Sequence, residues 1–290
     1  LFIKQIDRVD MMFRKIAKKI LTKSPKTYTA IHQANFERKH KQNFSNLNEK
    51  EKELLLEIKK NGYVVIPDFF DKKTCDACIK DMDWMYENKK EFVHKSEYAD
   101  HRIFGAEELS ENINKFGNHQ LLLKLANAYN AVPTSNGFTL AGKIETTGHE
   151  YGSGGSWHRD SYFRQFKSLL YLTDVTEDNG PFQVIHASHD KKNISHDSKS
   201  ANLESMQCEF KQETVEKILK DEPERLKTFT AKAGTVVLVD TSTIHRGIPL
   251  KNGVRYALTN YFFENTQITP RLVEHFSPLV SPEKVLKMVN

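Results

Sequence analysis

The chain has 290 residues, of which 38% are hydrophobic and 28% are charged, and its net charge is +5. This size fits one sizeable core with or without an appendage, and this composition is typical of a soluble globular protein. No stretch approaches the roughly 18 apolar residues of a membrane-spanning helix, and three cysteines do not make a disulfide framework, so we expect no transmembrane segment and a cytoplasmic location.

Residues 1–45 form a basic N-terminal segment. They carry eleven Lys and Arg against three Asp and Glu, whereas the remaining 245 residues have a net charge of −3. Apolar residues recur there at the spacing of an amphipathic helix: Phe2, Ile6, Val9, Phe13, Ile16 and Ile20. We favour packing of this helix on the protein's own body or on a second copy; a membrane surface or a partner protein is the alternative. No base-reading motif accompanies it, so we expect no nucleic-acid partner.

Residues 46–290 are predicted to form one domain that begins with helices. Helices are expected at Glu49–Lys60, Asp71–Tyr86 and Leu121–Ala131, with a buried strand at Tyr63–Ile66. The second helix contains Cys75 and Cys78, but no second cysteine or histidine pair follows at zinc-site spacing. We therefore interpret these two cysteines as packing residues.

From Gly137 onward the sequence has the character of β structure. Short apolar runs bounded by Gly, Asn, Asp and Pro predict strands at Phe138–Thr146, Ser168–Val175, Phe182–Ile185, Thr235–Val239 and Val254–Phe263. Their spacing favours a sandwich or barrel over alternating βαβ units. Residues 187–226 have little β character, and an insertion of this length is typical of a lid or binding loop.

A metal-binding pattern follows the glycine-rich stretch at 152–155. His158 and Asp160 form the only His-x-Asp or His-x-Glu of the chain, and on a strand their side chains point the same way. His245 follows a predicted buried strand far downstream and could complete a two-histidine, one-carboxylate face, which leaves open positions on Fe(II). The alternative is a surface His–Asp pair.

Arg255 stands at the start of the last predicted strand, ten residues after His245. Burying an arginine there is costly without an anionic partner, and a dicarboxylate held by the planar guanidinium would supply one. A salt bridge at the rim is the alternative.

Several segments in this order resemble the phytanoyl-CoA dioxygenase family of Fe(II)- and 2-oxoglutarate-dependent oxygenases. The resemblance covers about residues 50–265 and rests on Tyr63 to Phe70, Trp157 to Asp160, Leu172 to Phe182, Ala187 to His189, His245 and Arg255. One departure concerns Ala187, which stands where the family usually has glycine. We therefore expect a looser turn there, and His186 beside it is new near the pocket.

The resemblance implies a mainly β fold with flanking helices, namely a double-stranded β-helix or jelly-roll barrel of the cupin type. It implies that His158, Asp160 and His245 bind catalytic iron and that Arg255 binds the distal carboxylate of 2-oxoglutarate. Ala141, Lys143 and Glu145 share one face of the strand before the motif, and Lys143 is the predicted co-substrate contact on that face. Tyr171 could hydrogen-bond the co-substrate, with core packing as the alternative.

The reaction implied is hydroxylation of a C–H bond of a small-molecule substrate, with release of succinate and carbon dioxide. The presence of Asp160 favours hydroxylation over halogenation, because halogenases of this class lack the carboxylate. Four basic residues near the motif hint at a polar or anionic substrate: Lys143, Arg159, Arg164 and Arg246. A barrel that binds a small molecule or a partner without catalysis is the alternative function.

Overall fold

A computed structural model describes residues 47–264 apart from 96–99, 132, 147 and 149–151, together with Ile31, Ala34 and Arg38. The amphipathic helix predicted over Phe2 to Ile20 lies outside the described residues, and the proposed division at residue 45 stays a prediction. Among the helices described, none is long and apolar enough to cross a membrane.

Four helices form a layer on one side of the molecule: α1 (Glu49–Asn61), α2 (Lys72–Asn88), α3 (Glu111–Gly117) and α4 (Gln120–Asn130). The first begins at a capping box, because the Asn48 side chain accepts from the Glu51 amide and the Glu51 side chain accepts from the Asn48 amide. It ends at Gly62, whose φ of 87° requires glycine. The predicted ends of α1, α2 and α4 are correct to within two residues; α3 was not predicted.

Seven strands form the larger sheet in the order β1-β10-β6-β12-β4-β3-β2. Their bounds are β1 (Tyr63–Ile66), β2 (His94–Lys95), β3 (Asp100–Phe104), β4 (Thr134–Glu145), β6 (Phe166–Tyr171), β10 (Val236–Asp240) and β12 (Val254–Glu264). All of their pairings are antiparallel. The neighbours in this sheet are mostly distant in sequence, as in a jelly roll.

Five short strands form the smaller sheet in the order β8-β5-β11-β7-β9. They are β5 (Trp157–His158), β7 (Phe182–Ile185), β8 (Glu209–Phe210), β9 (Leu226–Phe229) and β11 (His245–Gly247). Val184 and Phe229 of this sheet pack against Val237 and Val239 of the larger one, so the two sheets face each other across an apolar core. The predicted mainly β, jelly-roll architecture with flanking helices is confirmed.

The main core lies between the helices and the larger sheet, and it includes Leu55, Met82, Leu125, Leu170, Leu238 and Leu258. Cys75 and Cys78 belong to this core as free cysteines. Burial raises the pKa of the Cys75 thiol to about 11 and that of Cys78 to about 12, so neither forms a thiolate at neutral pH. Their predicted role in packing agrees with these surroundings.

The insertion at 187–226 contains α5 (Lys191–Ser200), β8 and α6 (Gln212–Leu219). Buried Asp197 accepts two hydrogen bonds from Arg225, at 2.8 and 3.0 Å, and Arg225 also donates to the carbonyl of His186. These contacts join α5 to the segment that enters β9. The insertion is therefore an integral part of the barrel wall, because β8 is also hydrogen-bonded to β5.

The turn before this insertion departs from the expectation of a looser conformation. Ala187 has a φ of 52°, which favours glycine, and its amide donates to the carbonyl of Asn61 at 2.8 Å. The Ser188 amide closes the turn on the carbonyl of Ile185 at 3.1 Å. The turn is therefore tight, although Ala187 has to adopt a left-handed backbone conformation that is unfavourable for alanine. His186 contacts Tyr63 in this region, with 3.4 Å between its Nδ1 and the tyrosine hydroxyl.

Candidate metal centre

Strand pairing brings the two predicted histidine ligands together. His158 on β5 is in register with His245 on β11, and their ring centroids are 4.4 Å apart. Asp160 follows β5, with its Oδ1 3.8 Å from Nε2 of His158 and its Oδ2 3.7 Å from Nε2 of His245. One donor atom from each of the three residues lies within 4.8 Å of the others, which is a distance that one metal ion can bridge.

Both imidazoles are fixed by backbone carbonyls on the side away from this cluster. Nδ1 of His158 donates to the carbonyl of Ser156 at 2.8 Å, and Nδ1 of His245 donates to the carbonyl of Thr243 at 2.8 Å. Each bond places the ring proton on Nδ1, so the lone pair of Nε2 is directed toward the cluster. Burial, followed by the neighbouring His158, lowers the pKa of His245 to about 4, so this ligand is neutral at pH 7.

The chain segment before His245 is shaped by a buried carboxylate. Asp240, at the end of β10, accepts from the amides of Gln165 and Ser242 at 3.0 and 2.9 Å and from the hydroxyl of Tyr129 at 2.6 Å. These bonds fix the turn that leads from the larger sheet into β11. His245 therefore begins a strand of the smaller sheet, where the sequence had indicated only a residue beyond a strand end.

Lys167 contacts the cluster and was not singled out by the sequence analysis. Its Nζ lies 2.7 Å from Oδ2 of Asp160, and its side chain is only 6% exposed. Burial disfavours both charges, but Lys167 with the two imidazoles holds the pKa of Asp160 below its ordinary value, and Asp160 in turn raises the pKa of Lys167. Asp160 is therefore ionised and Lys167 is a cation. A lysine within an apolar strand gave no signal of this contact.

The cluster opens into a cavity of about 320 Å³ that Arg255 also lines. Arg255 is 5% exposed, and its Nε and Nη1 are buried without a hydrogen-bond partner among the described residues. Burial lowers its pKa, but a guanidinium still remains protonated at neutral pH. A buried cation with two free donors fits the carboxylate of a ligand.

The glycine-rich segment closes one side of the cavity as a tight turn. The Gly155 amide donates to the Gly152 carbonyl at 3.0 Å, and Ser153 donates to the buried Asp100 at 2.8 Å. Asp100 also pairs with Arg102, which lines the cavity. Gly154 has a φ of 84°, and a Cβ there would lie 3.3 Å from the ring of His158. Glycine thus permits the close approach of this turn to a metal ligand.

Lys143 does not reach this cavity. It lies on the face of β4 that packs against α2, where its Nζ is 3.2 Å from Glu145 and 3.8 Å from Asp83. The opposite face of β4 looks inward, and it is Leu140 from that face that lines the cavity. The assignment of Lys143 as a co-substrate contact is corrected accordingly, because the helical layer covers the face on which it lies.

Tyr171 is buried beside Arg255 but has no donor left for a ligand. Its hydroxyl donates to the carbonyl of Phe229 at 3.2 Å and accepts from the amide of Phe182 at 3.0 Å. Both partners are backbone groups, and the ring packs with Val175 and Ala257. These contacts support the alternative of core packing.

The three arginines near the motif do not line this cavity. Arg159 is buried near the rings of Tyr162 and Phe210 and donates to the carbonyl of Ser188, although its Nε and Nη1 have no partner among the described residues. Arg164 donates to the carbonyl of Asn130. Arg246 lies 4.4 Å from the ring centre of Trp157, on a larger cleft of about 720 Å³ that does not contain the metal cluster. Three basic residues line the cavity that contains the metal cluster: Arg102, Lys167 and Arg255.

The fold and site together define a jelly-roll protein with a two-histidine, one-carboxylate cluster at its cavity. The sequence profile of the family described as phytanoyl-CoA dioxygenase (PhyH) matches residues 58–254, which is more than half of the chain. The chain belongs to this family. A search of curated proteins found no match.

Solved structures of low sequence identity share the fold. EctD from S. alaskensis with bound Fe superposes with a TM-score of 0.57 at 14% identity, over 76% of this chain and 78% of that one. The epimerase SnoN, in complex with Fe3+, alpha ketoglutarate and nogalamycin RO, superposes with a TM-score of 0.55 at 13% identity, over 75% of this chain and 84% of that one. The carbocyclase SnoK from nogalamycin biosynthesis superposes with a TM-score of 0.54 at 17% identity, over 77% of this chain and 86% of that one. Iron, predicted as a cofactor here, is named for EctD and, as Fe3+, for SnoN, and the predicted co-substrate 2-oxoglutarate is named for SnoN as alpha ketoglutarate.

Proposed function

We propose that this chain is an Fe(II)- and 2-oxoglutarate-dependent dioxygenase that hydroxylates a C–H bond of a small polar or anionic molecule. The observation that carries the proposal is that one cavity of about 320 Å³ is lined by the metal cluster and by a buried arginine, two of whose nitrogens have no partner among the described residues. A metal alone would leave Arg255 unexplained, whereas a diacid that also binds the metal uses both features.

In this proposal the residues have separate roles. Nε2 of His158, Nε2 of His245 and the carboxylate of Asp160 hold iron, and the guanidinium of Arg255 binds the distal carboxylate of 2-oxoglutarate. When bound, iron and 2-oxoglutarate supply the oxidative decarboxylation that yields succinate and carbon dioxide and the oxidising power for the C–H bond. The protein fixes the ligands through the carbonyls of Ser156 and Thr243 and provides a cavity lined by both buried and partly exposed side chains.

Hydroxylation is the outcome we propose among those the fold permits. An epimerase and a carbocyclase share the fold, so the barrel alone does not decide the reaction. Asp160 occupies the third ligand position, which favours hydroxylation over halogenation because no ligand position is left for a halide.

The test is decarboxylation of 2-oxoglutarate without primary substrate. We expect the protein with Fe(II) to release succinate slowly under air, and we expect Asp160→Asn to release none above the metal-only background. Asp178→Asn, at an exposed turn where Asp178 pairs with Lys251, is the matched control and should behave as wild type. A wild-type chain that binds 2-oxoglutarate but releases no succinate would support the non-catalytic alternative.

Reaction type is tested next, with panels of small acids, amines and sugars. A substrate should accelerate succinate release and gain the mass of one oxygen atom, which mass spectrometry with labelled dioxygen detects. Loss of two hydrogens or an unchanged mass would assign desaturation or epimerisation instead.

A further inference from the structure

Lys167 is a second buried cation of the cavity, and no role in the proposed reaction has yet been given to it. It extends from β6 into the cavity, with Nζ 2.7 Å from Asp160 and 3.6 Å from the ring centre of Tyr261. One acceptor and one aromatic face do not exhaust three ammonium donors. Lys167 is therefore able to bind a further anionic group.

Arg255 and Lys167 extend into the cavity from distant positions on neighbouring strands. Lys167 is in register with Tyr261 on β12, whereas Arg255 lies six residues earlier on that strand. At a rise of about 3.4 Å per residue, the two strand positions are roughly 20 Å apart. Leu169 and Thr259 line the cavity between them. If Arg255 binds the distal carboxylate of 2-oxoglutarate, Lys167 is left for another ligand.

Charge balance indicates the sign of that ligand. The charges of Fe(II), 2-oxoglutarate, Asp160 and Arg255 cancel, and Arg102 is paired with Asp100. Lys167 then leaves one positive charge in a cavity whose lining includes buried Val239 and partly buried Leu169 and Phe182. A surplus charge in such a cavity is costly even though Lys167 also contacts Asp160, and the cost is reduced when an anion binds. A single surplus charge fits a carboxylate better than a phosphate ester, which carries nearly two.

We propose that the primary substrate is a carboxylic acid whose carboxylate binds the ammonium of Lys167 beside Tyr261. This inference rests on the proposed function, because the charge balance includes iron and 2-oxoglutarate. Lys167 keeps its bond to Asp160 and acts as the residue that selects an acid over its neutral analogue. The acid end is then fixed near the metal ligand, which places the neighbouring carbon atoms close to the metal.

The test uses Zn(II) in place of iron, so that no turnover occurs. Wild type, Lys167→Met and Lys167→Arg are first titrated with Zn(II) and with 2-oxoglutarate by calorimetry. Each complex, saturated with both, is then titrated with acetate and with acetamide, with binding measured by ligand NMR. Lys167→Met keeps the length of the side chain without its charge, and Lys167→Arg keeps the charge.

We expect acetate to bind wild type and Lys167→Arg, and to bind Lys167→Met at least about tenfold more weakly. Wild type should also bind acetate more tightly than acetamide, because only acetate forms a charged pair with the ammonium. The inference is wrong if acetate fails to bind wild type, or if it binds wild type and both variants with equal affinity. It is also wrong if Lys167→Met weakens 2-oxoglutarate binding tenfold, because Lys167 would then bind the co-substrate. Failure of wild type to bind Zn(II) and 2-oxoglutarate would instead overturn the proposed function, and this inference with it.

Discussion

The two ends of the cavity differ in how completely the protein satisfies its own polar groups. At the metal end, both imidazoles have fixed Nδ1 partners and Asp160 has Lys167. At the other end, Arg255 is only 5% exposed, but two of its nitrogens have no partner among the described residues. The metal end is therefore preorganised by the chain alone, whereas the arginine end is completed only by a ligand. Substitutions at the two ends should accordingly have opposite effects on the free protein.

The largest effect is expected from Asp160→Asn. The amide keeps the shape of the side chain but removes the ligand charge, so the affinity for Zn(II) should fall more than about 100-fold. Calorimetry measures the affinity, and circular dichroism should show an unchanged fold. A loss below tenfold would mean that the carboxylate is not a ligand.

Asp160→Ala should expose the cost of an unpaired Lys167. Removing the carboxylate leaves a buried ammonium alone, so the free energy of unfolding should fall by about 3 kcal/mol relative to wild type. Adding Lys167→Met to Asp160→Ala should restore most of this loss. Urea denaturation measures both differences, and no rescue in the double variant would show that the pair does not contribute to stability.

Arg255→Met should weaken 2-oxoglutarate binding by about 10- to 100-fold, because a charged, two-donor contact is lost. Zn(II) affinity should stay within about twofold, since Arg255 is not part of the metal cluster. Calorimetric titrations with each ligand make the comparison. Equal losses for metal and co-substrate would point to a structural role of Arg255 in the cavity wall.

The same variant should stabilise the free protein. Arg255→Met removes a buried cation without a partner, so the free energy of unfolding should rise by about 1–2 kcal/mol in the absence of ligands. Saturating Zn(II) and 2-oxoglutarate should reverse the order of wild type and variant in thermal denaturation. A variant less stable than wild type without ligands would contradict the view that this end is incomplete.

The smallest effect concerns the turn that supports the metal end. The hydroxyl of Ser188 accepts from the amide of Ile244 at 2.8 Å, and Ala187 before it has the left-handed φ of 52°. Ala187→Gly should relieve this strain and raise the free energy of unfolding by about 0.5–1 kcal/mol, with unchanged Zn(II) affinity. Thermal denaturation of the variant and of wild type measures this change in the free energy of unfolding. A destabilised variant would show that the methyl group of Ala187 contributes favourable packing.

The sequence predicted the parts of the site that depend on local spacing or on the family resemblance. His158 and Asp160 share a face because of strand alternation, and β12 was correctly placed with Arg255 at its start. Lys143 was misplaced because alternation tells which residues share a face but not which face looks inward. In the structure α2 covers the face of β4 that carries Lys143, and Asp83 of this helix lies 3.8 Å from it.

Other parts depend on contacts between distant segments. β5, β8 and β11 are two or three residues long, too short for a periodic pattern, and they exist only through their mutual pairing. The burial of Lys167 depends on Tyr261 from the last strand and on a turn that returns Asp160 to it. A single sequence does not encode such pairings in any local signal.

The short strand β8 has a consequence for the whole molecule. It hydrogen-bonds to β5 beside His158, and the Arg159 amide donates to the Cys208 carbonyl at 2.7 Å. Without residues 187–226, the strand that carries His158 would offer its open backbone edge to any other extended chain. The insertion thus shields this strand from self-association, and a shortened chain would be expected to aggregate.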